Sequence, residues 1–339
     1  YKDAVNRRSP HSHLGTVRSS NLCTEIVQFS SENEVAVCNL GSLALPKFVL
    51  KDRSGIDHDM LFESTVELIT NLDRVIDRNY YPIPEAKASN MRHRPVGLGV
   101  QGFADVLFLL RETFDGEKAK QHNREIFETL YFASLSASCT LAQEHGTFHS
   151  YEGSPIHKGL LQMDLWSMEG RTYALSGRWD WEALRSRIAK WGVRNSMLIA
   201  PMPTASTAHI LGNTECFEPI TSNFYARRTL AGEFAIVNSH LVSELENREL
   251  WTDSIRDAIL SEDGSVQSIP EIPPDIKKRF RTAWELSQKT IIDLAAERCP
   301  FVDQSQSMNL FVADPTPQRM TSMHFYAWKK GLKTGIYYL

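Results

Sequence analysis

The amino-acid sequence predicts an α/β fold with parallel strands, on three observations. Short β-type runs alternate with long segments whose apolar residues recur at helical spacing. Glycine and proline punctuate the ends of those segments. No repeat, linker or low-complexity stretch divides the 339 residues, which at 42% hydrophobic and 23% charged suffice for one large domain or two.

The elements follow in order. Residues 1–20 are polar and turn-rich and lead into "SNLCTEIVQF", residues 20–29. Val27 to Phe29 are β-type, which favours extended backbone. There side chains alternate, so Asn21, Cys23 and Glu25 would line one face and Leu22, Thr24 and Ile26 the other; a helix would split the first three. Residues 35–40 read as a second short strand carrying Cys38. Leu61, Leu68, Ile69, Leu72, Val75 and Ile76 predict a helix over about 60–78, ended by Pro82 and Pro84. A longer helix is expected over about 122–144, closed by Gly146, and Trp181, Leu184, Ile188 and Trp191 mark another that Gly192 stops. Residues 193–199 form a buried-type strand before Pro201 and Pro203. Further helices fit 226–247, 276–297 and 318–332, with a strand at 308–312 between the last two.

Composition excludes several classes. A net charge of -4 with mixed signs leaves no electrostatic footprint for DNA or an anionic membrane. No apolar run approaches the roughly 20 residues that span a bilayer. Five cysteines without C-x-x-C or regular spacing form neither a disulfide scaffold nor a zinc module, and fit a reducing, cytoplasmic compartment.

Several groups are chemically suggestive. A lone cysteine in an apolar strand is ordinarily an inert core residue, but Glu25 two positions from Cys23 is costly to bury without a task. Cys38 lies fifteen residues on, in a strand that could pair beside the first. Thr204, Ala205, Ser206 and Thr207 follow a strand and precede a short helical stretch, where hydroxyls and free backbone N–H groups can hold an anion or simply cap the helix. Gly97-Leu98-Gly99-Val100-Gln101-Gly102 spells G-x-G-x-x-G, but without a preceding strand or an acid about 20 residues on, the glycines serve close packing where a helix meets the sheet. His145 and His149 have metal-ligand spacing with Gly146 between them and no third ligand near, so no metal is expected. Cys139 and Cys299 read as core residues, and Cys216 lies in a loop. Tyr337 and Tyr338 are adjacent in a terminal strand-like run; stacking them to carry a radical would require backbone twisted away from strand geometry.

Taken together, "SNLCTEIV", "HRPVGLGVQGFAD", "RNSMLIAPMPTASTAHILGNTECFEP", "DQSQSMN" and "TSMHFYAWKKGLKTGIYYL" resemble the large, catalytic subunit of class I ribonucleotide reductase of the eukaryotic or viral type, along nearly the whole chain. The resemblance implies a ten-stranded α/β barrel of two five-stranded parallel halves. This chain would supply the finger loop and second half. Residues 1–339 would be the carboxy-terminal part of the catalytic barrel, with the ATP cone, the first barrel half and the flexible cysteine tail lying outside them.

It further implies radical reduction of ribonucleoside diphosphates to 2′-deoxyribonucleoside diphosphates. Cys23 would become a thiyl radical, Glu25 would act as general base and Asn21 would hold the substrate hydroxyls. Cys38 would belong to the redox-active cysteine pair, residues 204–207 would cradle the diphosphate, and Tyr337 and Tyr338 would relay the radical. The implied partners are a metal-containing, radical-generating small subunit, the upstream half of the large subunit, and thioredoxin or glutaredoxin acting through the tail. ATP and dNTP effectors would bind upstream, and no cofactor would be bound by this chain. Two rivals are a non-catalytic scaffold that keeps the fold, opposed by the six intact site positions, and a glycyl-radical enzyme on the same barrel, opposed by a tyrosine pair where the radical glycine loop would stand.

Overall fold

β1 (Leu40–Ala44) runs parallel to β2 (Gly97–Gln101), with Leu40 opposite Gly97 and Ala44 opposite Gln101, in a computed structural model that describes residues 1–339 apart from the Thr229 side chain. The ladder continues past β2 through irregular backbone. Val96 N–H donates to Met197 O (3.0 Å), Leu98 N–H to Leu198 O (2.8 Å) and Ala200 N–H to Leu98 O (3.0 Å), with a parallel bridge between Leu98 and Ile199. Gln304 N–H then reaches Ile199 O (3.2 Å), Ser307 N–H reaches Pro201 O (2.9 Å), and Ser305 N–H reaches Glu25 O (2.9 Å). Extended segments therefore follow one another laterally from β1 to Glu25, although few are regular enough to count as strands.

Two glycines let this succession close up. A Cβ on Gly99 would lie 2.6 Å from Met202 Sδ, and one on Gly97 would lie 2.6 Å from Leu40 Cδ2. Only a residue without a side chain permits such approach. The G-x-G-x-x-G stretch is thus a packing device, as expected, with one correction: Gly97–Gln101 is itself the strand, and its glycines admit neighbouring extended segments rather than a helix.

Helices pack against this succession. After α1 (Lys2–Arg7), α2 (His58–Arg78) matches the expected helix and starts where Asp57 Oδ1 accepts the Met60 N–H at 2.9 Å. It ends at Asn79, and Pro84 opens α3 (Pro84–His93) instead of only closing α2, because a first helical position needs no N–H. α4 (Phe103–Leu109) precedes α5 (Glu117–His145), which starts before the expected 122 and stops at Gly146. After α6 (Gln162–Ser167), α7 (Trp181–Trp191) is capped by Asp180 and stopped by Gly192. Leu61 and Ile69 of α2, Ile126, Phe127 and Leu130 of α5, and Leu184 and Ile188 of α7 share one apolar core. Each such side chain contributes roughly 1.5–3 kcal/mol on burial. A polar bolt crosses it: Arg94 Nε donates to Asp73 Oδ1 (2.9 Å), Asn195 Nδ2 donates to the same oxygen (2.9 Å), and Ser138 Oγ donates to Asn195 Oδ1 (2.9 Å).

Elsewhere the structure corrects the sequence reading. Residues 35–39 are irregular, and β1 begins where that strand was to end. Residues 193–199, buried apart from Arg194, form no regular strand and meet β2 only around Leu98. α8 (Ala205–Leu211) is followed not by a helix over 226–247 but by an antiparallel hairpin, β3 (Phe224–Thr229) and β4 (Gly232–Val237), and then α9 (Ser239–Glu246). Tyr225, Phe234, Ile236 and Val237 suit strands, and Gly232 stands at the turn. Beyond α10 (Asp253–Ser261), the expected 276–297 helix is split into α11 (Pro274–Arg279) and α12 (Gln288–Arg298). Between them, Ala283 N–H is taken by Ile220 O (2.7 Å) and Thr282 N–H by Glu285 Oε2 (2.7 Å), bonds that replace the helical pattern. Residues 308–312 form no strand, and α13 (Pro317–Lys329) is the last helix of the chain. Among the described residues no helix is long and apolar enough to cross a membrane.

Candidate functional site

The sequence places Asn21, Cys23 and Glu25 on an extended run; the structure places them on a turn. Thr24 takes φ 70, a left-handed conformation costly for a β-branched residue, and its N–H donates to Asn21 O at 3.2 Å. Asn21 Oδ1 accepts the Ile26 N–H at 3.1 Å and closes the turn from inside. The shared strand face is therefore replaced by a tight loop, because the Asn21 side chain and carbonyl take up the amides that a strand partner would use.

The turn still brings thiol and carboxyl to one support. Ser307 Oγ lies 2.6 Å from Cys23 O and 2.8 Å from Glu25 Oε2. Glu25 is buried, Cys23 is half-buried and Cys38 is exposed at the edge of the site. Partial desolvation, ahead of the neighbouring Glu25 and Cys23, holds the Cys38 thiol above its ordinary pKa. Cys139, Cys216 and Cys299 are buried, consistent with packing residues, and all five thiols are free.

Tyr337 and Tyr338 reach the same turn. Their ring centroids are 4.2 Å apart with the planes tilted at 42°, and neither residue lies in a regular strand, so both rings fall on one side of the chain. The nearby Cys23 thiol, then Tyr338, raise the Tyr337 phenol above its usual pKa. A protonated phenol against a thiol can exchange a hydrogen atom with it without separating charge.

The support beneath both groups escaped the sequence reading. Along residues 303–310, Ser307 and Asn309 meet the Cys23 turn and the tyrosines, Ser305 Oγ pairs with Thr334 Oγ1 (2.6 Å), and Gln306 and Met308 point into the core. Tyr337 N–H donates to Met308 O (2.8 Å), Leu310 N–H to Tyr338 O (3.0 Å) and Tyr338 N–H to Asn309 Oδ1 (3.0 Å). Asp303 anchors the upstream end through Leu198 N–H and Ile199 N–H, each 2.8 Å from its carboxylate. The available signal was a two-residue polar alternation in "DQSQSMN", which a search for apolar periodicity passes over.

The 204–207 loop is strained where an anion site was expected. Thr204 and Ala205 both take positive φ, 60 and 30, at the head of α8. Thr204 Oγ1 accepts the Cys216 N–H (2.9 Å), and Thr207 Oγ1 donates to Thr204 O (2.7 Å). Those two hydroxyls each make one bond within the protein, and Ala205, Ser206 and Thr207 are exposed. Among the described residues, no group of three or more His, Cys, Asp or Glu side chains is placed to hold a metal ion.

Comparison with known proteins bears on this geometry. Residues 1–338 match the family model described as "Ribonucleotide reductase, barrel domain". The chain is 56% identical to the ribonucleoside-diphosphate reductase large chain of Schizosaccharomyces pombe, over 100% of its own length and 41% of that protein. It is 54% identical to the large subunit of Dictyostelium discoideum, again over 100% of itself and 39% of the relative. It spans about two fifths of the length of these relatives. Among solved structures, the Actinobacillus ureae class Id ribonucleotide reductase alpha subunit superposes with a TM-score of 0.78 at 29% identity, over 100% of this chain and 57% of the other.

Proposed function

Because the chain belongs to the ribonucleotide reductase barrel-domain family, we propose that it carries the radical cysteine and the general base for reducing ribonucleoside diphosphates to 2′-deoxyribonucleoside diphosphates. The observation that carries this reading is that one serine, Ser307, holds both the Cys23 carbonyl and the Glu25 carboxylate, with the Tyr337–Tyr338 pair bonded to the adjoining residues 308–310 and Tyr337 near Cys23. The lateral succession from β1 to Glu25 would be part of a ten-stranded barrel, completed by the rest of a longer large subunit.

In this reading a radical made by a metal-containing small subunit reaches Tyr338, and Tyr337 passes it on by taking the S–H hydrogen atom of Cys23. The thiyl radical removes the 3′ hydrogen atom of the ribose while Glu25 accepts the 3′ hydroxyl proton. The 2′ hydroxyl leaves as water with a proton from a cysteine pair that includes Cys38. That pair supplies two electrons, gives its second hydrogen to C2′ and ends as a disulfide, while Glu25 returns its proton to the 3′ oxygen and Cys23 its hydrogen atom to C3′. One dithiol is thus oxidised and one water released per sugar reduced. The resemblance matches none of Cys139, Cys216 and Cys299 to the second cysteine of that pair, and would place it in the rest of a longer large subunit.

Asn21 has its Oδ1 committed to Ile26, which leaves Nδ2 to donate to a substrate hydroxyl. The diphosphate would lie at the head of α8 on residues Thr204, Ala205, Ser206 and Thr207, with exposed Ser206 the hydroxyl best placed to meet it. Thioredoxin or glutaredoxin would restore the dithiol through the tail of the full subunit. The test is diphosphate reduction by this chain combined with the rest of a large subunit and an active small subunit, beside Cys23→Ser. Deoxynucleotide is expected from the native mixture and none above background from the variant; equal turnover by both would remove Cys23 from the chemistry.

A further inference from the structure

The loop after α8 places a buried acid against the support of the tyrosine pair. Glu218 Oε1 accepts the Asn309 N–H at 2.8 Å, and Oε2 accepts Asn309 Nδ2 at 3.0 Å. This clasp fixes the Asn309 amide with its nitrogen towards Glu218 and its oxygen towards the Tyr338 N–H, 3.0 Å away. The two residues beside Asn309 bind the same pair, Met308 O accepting from Tyr337 N–H and Leu310 N–H donating to Tyr338 O. Two positions upstream, Ser307 holds Cys23 and Glu25. One short segment therefore holds both ends of the thiol–phenol contact.

We propose that Glu218, acting through Asn309, is a positioning residue that sets the register of Tyr337 and Tyr338 against Cys23. A carboxylate is the side chain this requires, since both its oxygens accept and Asn309 presents two donors; a glutamine would turn an NH2 towards one of them. The acid is held at a cost. Burial pushes the Glu218 carboxyl up to about 7 despite the Asn309 bonds; Glu215 on the same loop adds to the rise and Arg298 from α12 opposes it. An acid kept in such a setting, with its described hydrogen bonds both to Asn309, is explained by the geometry it enforces.

The placement stands on the structure alone; its catalytic consequence rests on the reductase reading. The test is amide hydrogen exchange on this chain, comparing the native protein with Glu218→Gln, Asn309→Ala and the double variant. Exchange at Leu310, Tyr337 and Tyr338 should quicken by about tenfold or more in each single variant, with little further gain in the double and no change along α5. Unchanged exchange at those amides, or equal quickening along α5, would overturn the proposal. Glu218→Asp, which keeps the carboxylate but shortens its reach to Asn309, carries the test if Glu218→Gln does not fold. In the reconstituted reductase, Glu218→Gln should lower kcat with KM for the diphosphate unchanged. Quickened exchange beside an inactive native assembly would keep the clasp and remove the reductase reading. Unchanged exchange beside an active native assembly would do the reverse.

Discussion

Around α5 the chain forms long regular elements whose backbone bonds are internal, and Phe127 and Leu130 meet Leu61 and Leu184 in an apolar core. Around Cys23 the same chain forms a turn, an irregular run over 303–310 and a terminal pair of tyrosines, each held by side chains bonded to a neighbour's backbone. The first region depends on burial, which is non-directional and spread over many residues. The second depends on individually placed donors and acceptors, so its geometry is specified residue by residue. A loss in the first should lower stability broadly, whereas a loss in the second should move particular groups.

Asp303 tests where the two regimes join. Its carboxylate takes two amides of the 196–200 segment, and Lys333 donates to its main-chain oxygen. Burial pushes the carboxyl up and the Lys333 ammonium down, and each opposes the other's shift. Asp303→Ala would leave a buried lysine without its counter-charge and two amides without an acceptor, at a cost of about 3–5 kcal/mol. Urea unfolding measures this, and a cost below about 1 kcal/mol would show that the sheet and the site are not joined through Asp303.

These regimes also explain what could be read beforehand. The helices at 60–78, 181–191 and 318–332 were legible because their cores impose a helical apolar period and their ends carry turn residues. The hairpin over 224–237 was not, since Leu230, Phe234, Val237 and Leu241 recur at helical spacing. The lateral ladder was half legible: β2 is spelled with glycines, which weaken any strand signal, and the 303–310 run is polar on its site face and carries Gln306 on the other. Residues Asn21, Cys23, Glu25, Cys38, Tyr337 and Tyr338 were named from sequence, but the turn at Thr24 and the holding residues Ser307, Asn309 and Glu218 were not. Those act through hydrogen-bond geometry between segments distant in sequence, which local periodicity does not encode.

Acid should expose the helical region in a different way. His58 begins α2, with Nδ1 2.8 Å from Thr129 Oγ1 and Nε2 3.6 Å from Glu125 Oε2 on α5. Burial, then nearby Arg178, lowers its pKa from 6.5 to about 4, with Glu125 opposing. The unfolded chain therefore binds the proton first as pH falls. The contribution is complete above pH 6.5 and is lost as pH drops towards 4, on the order of 3 kcal/mol. Buried His11 and His93, whose rings lie 5.1 Å apart, shift the same way, so they add to the loss in acid. His58→Gln should flatten only its own share of the slope in urea midpoints between pH 7 and 4; an unchanged slope would assign the loss to the other histidines.

Ser307 offers the smallest change in stability and the sharpest test of local control. Its hydroxyl is shared between Cys23 O and Glu25 Oε2, and its own N–H is bonded to Pro201 O, so Ser307→Ala removes the hold on the turn and leaves the segment in place. Stability should fall by about 1 kcal/mol, the net contribution of one intramolecular hydrogen bond. The turn stores strain at Thr24 and should relax once released. Cys23, half-buried against Tyr337, should then alkylate several-fold faster, while Cys38, already exposed, keeps its native rate. Site-resolved mass spectrometry after brief iodoacetamide treatment separates the two thiols. Ser307→Thr, which keeps the hydroxyl, should restore the slow Cys23 rate; equal acceleration at both cysteines would mean that the variant loosens the whole corner and that Ser307 does not hold the turn by itself.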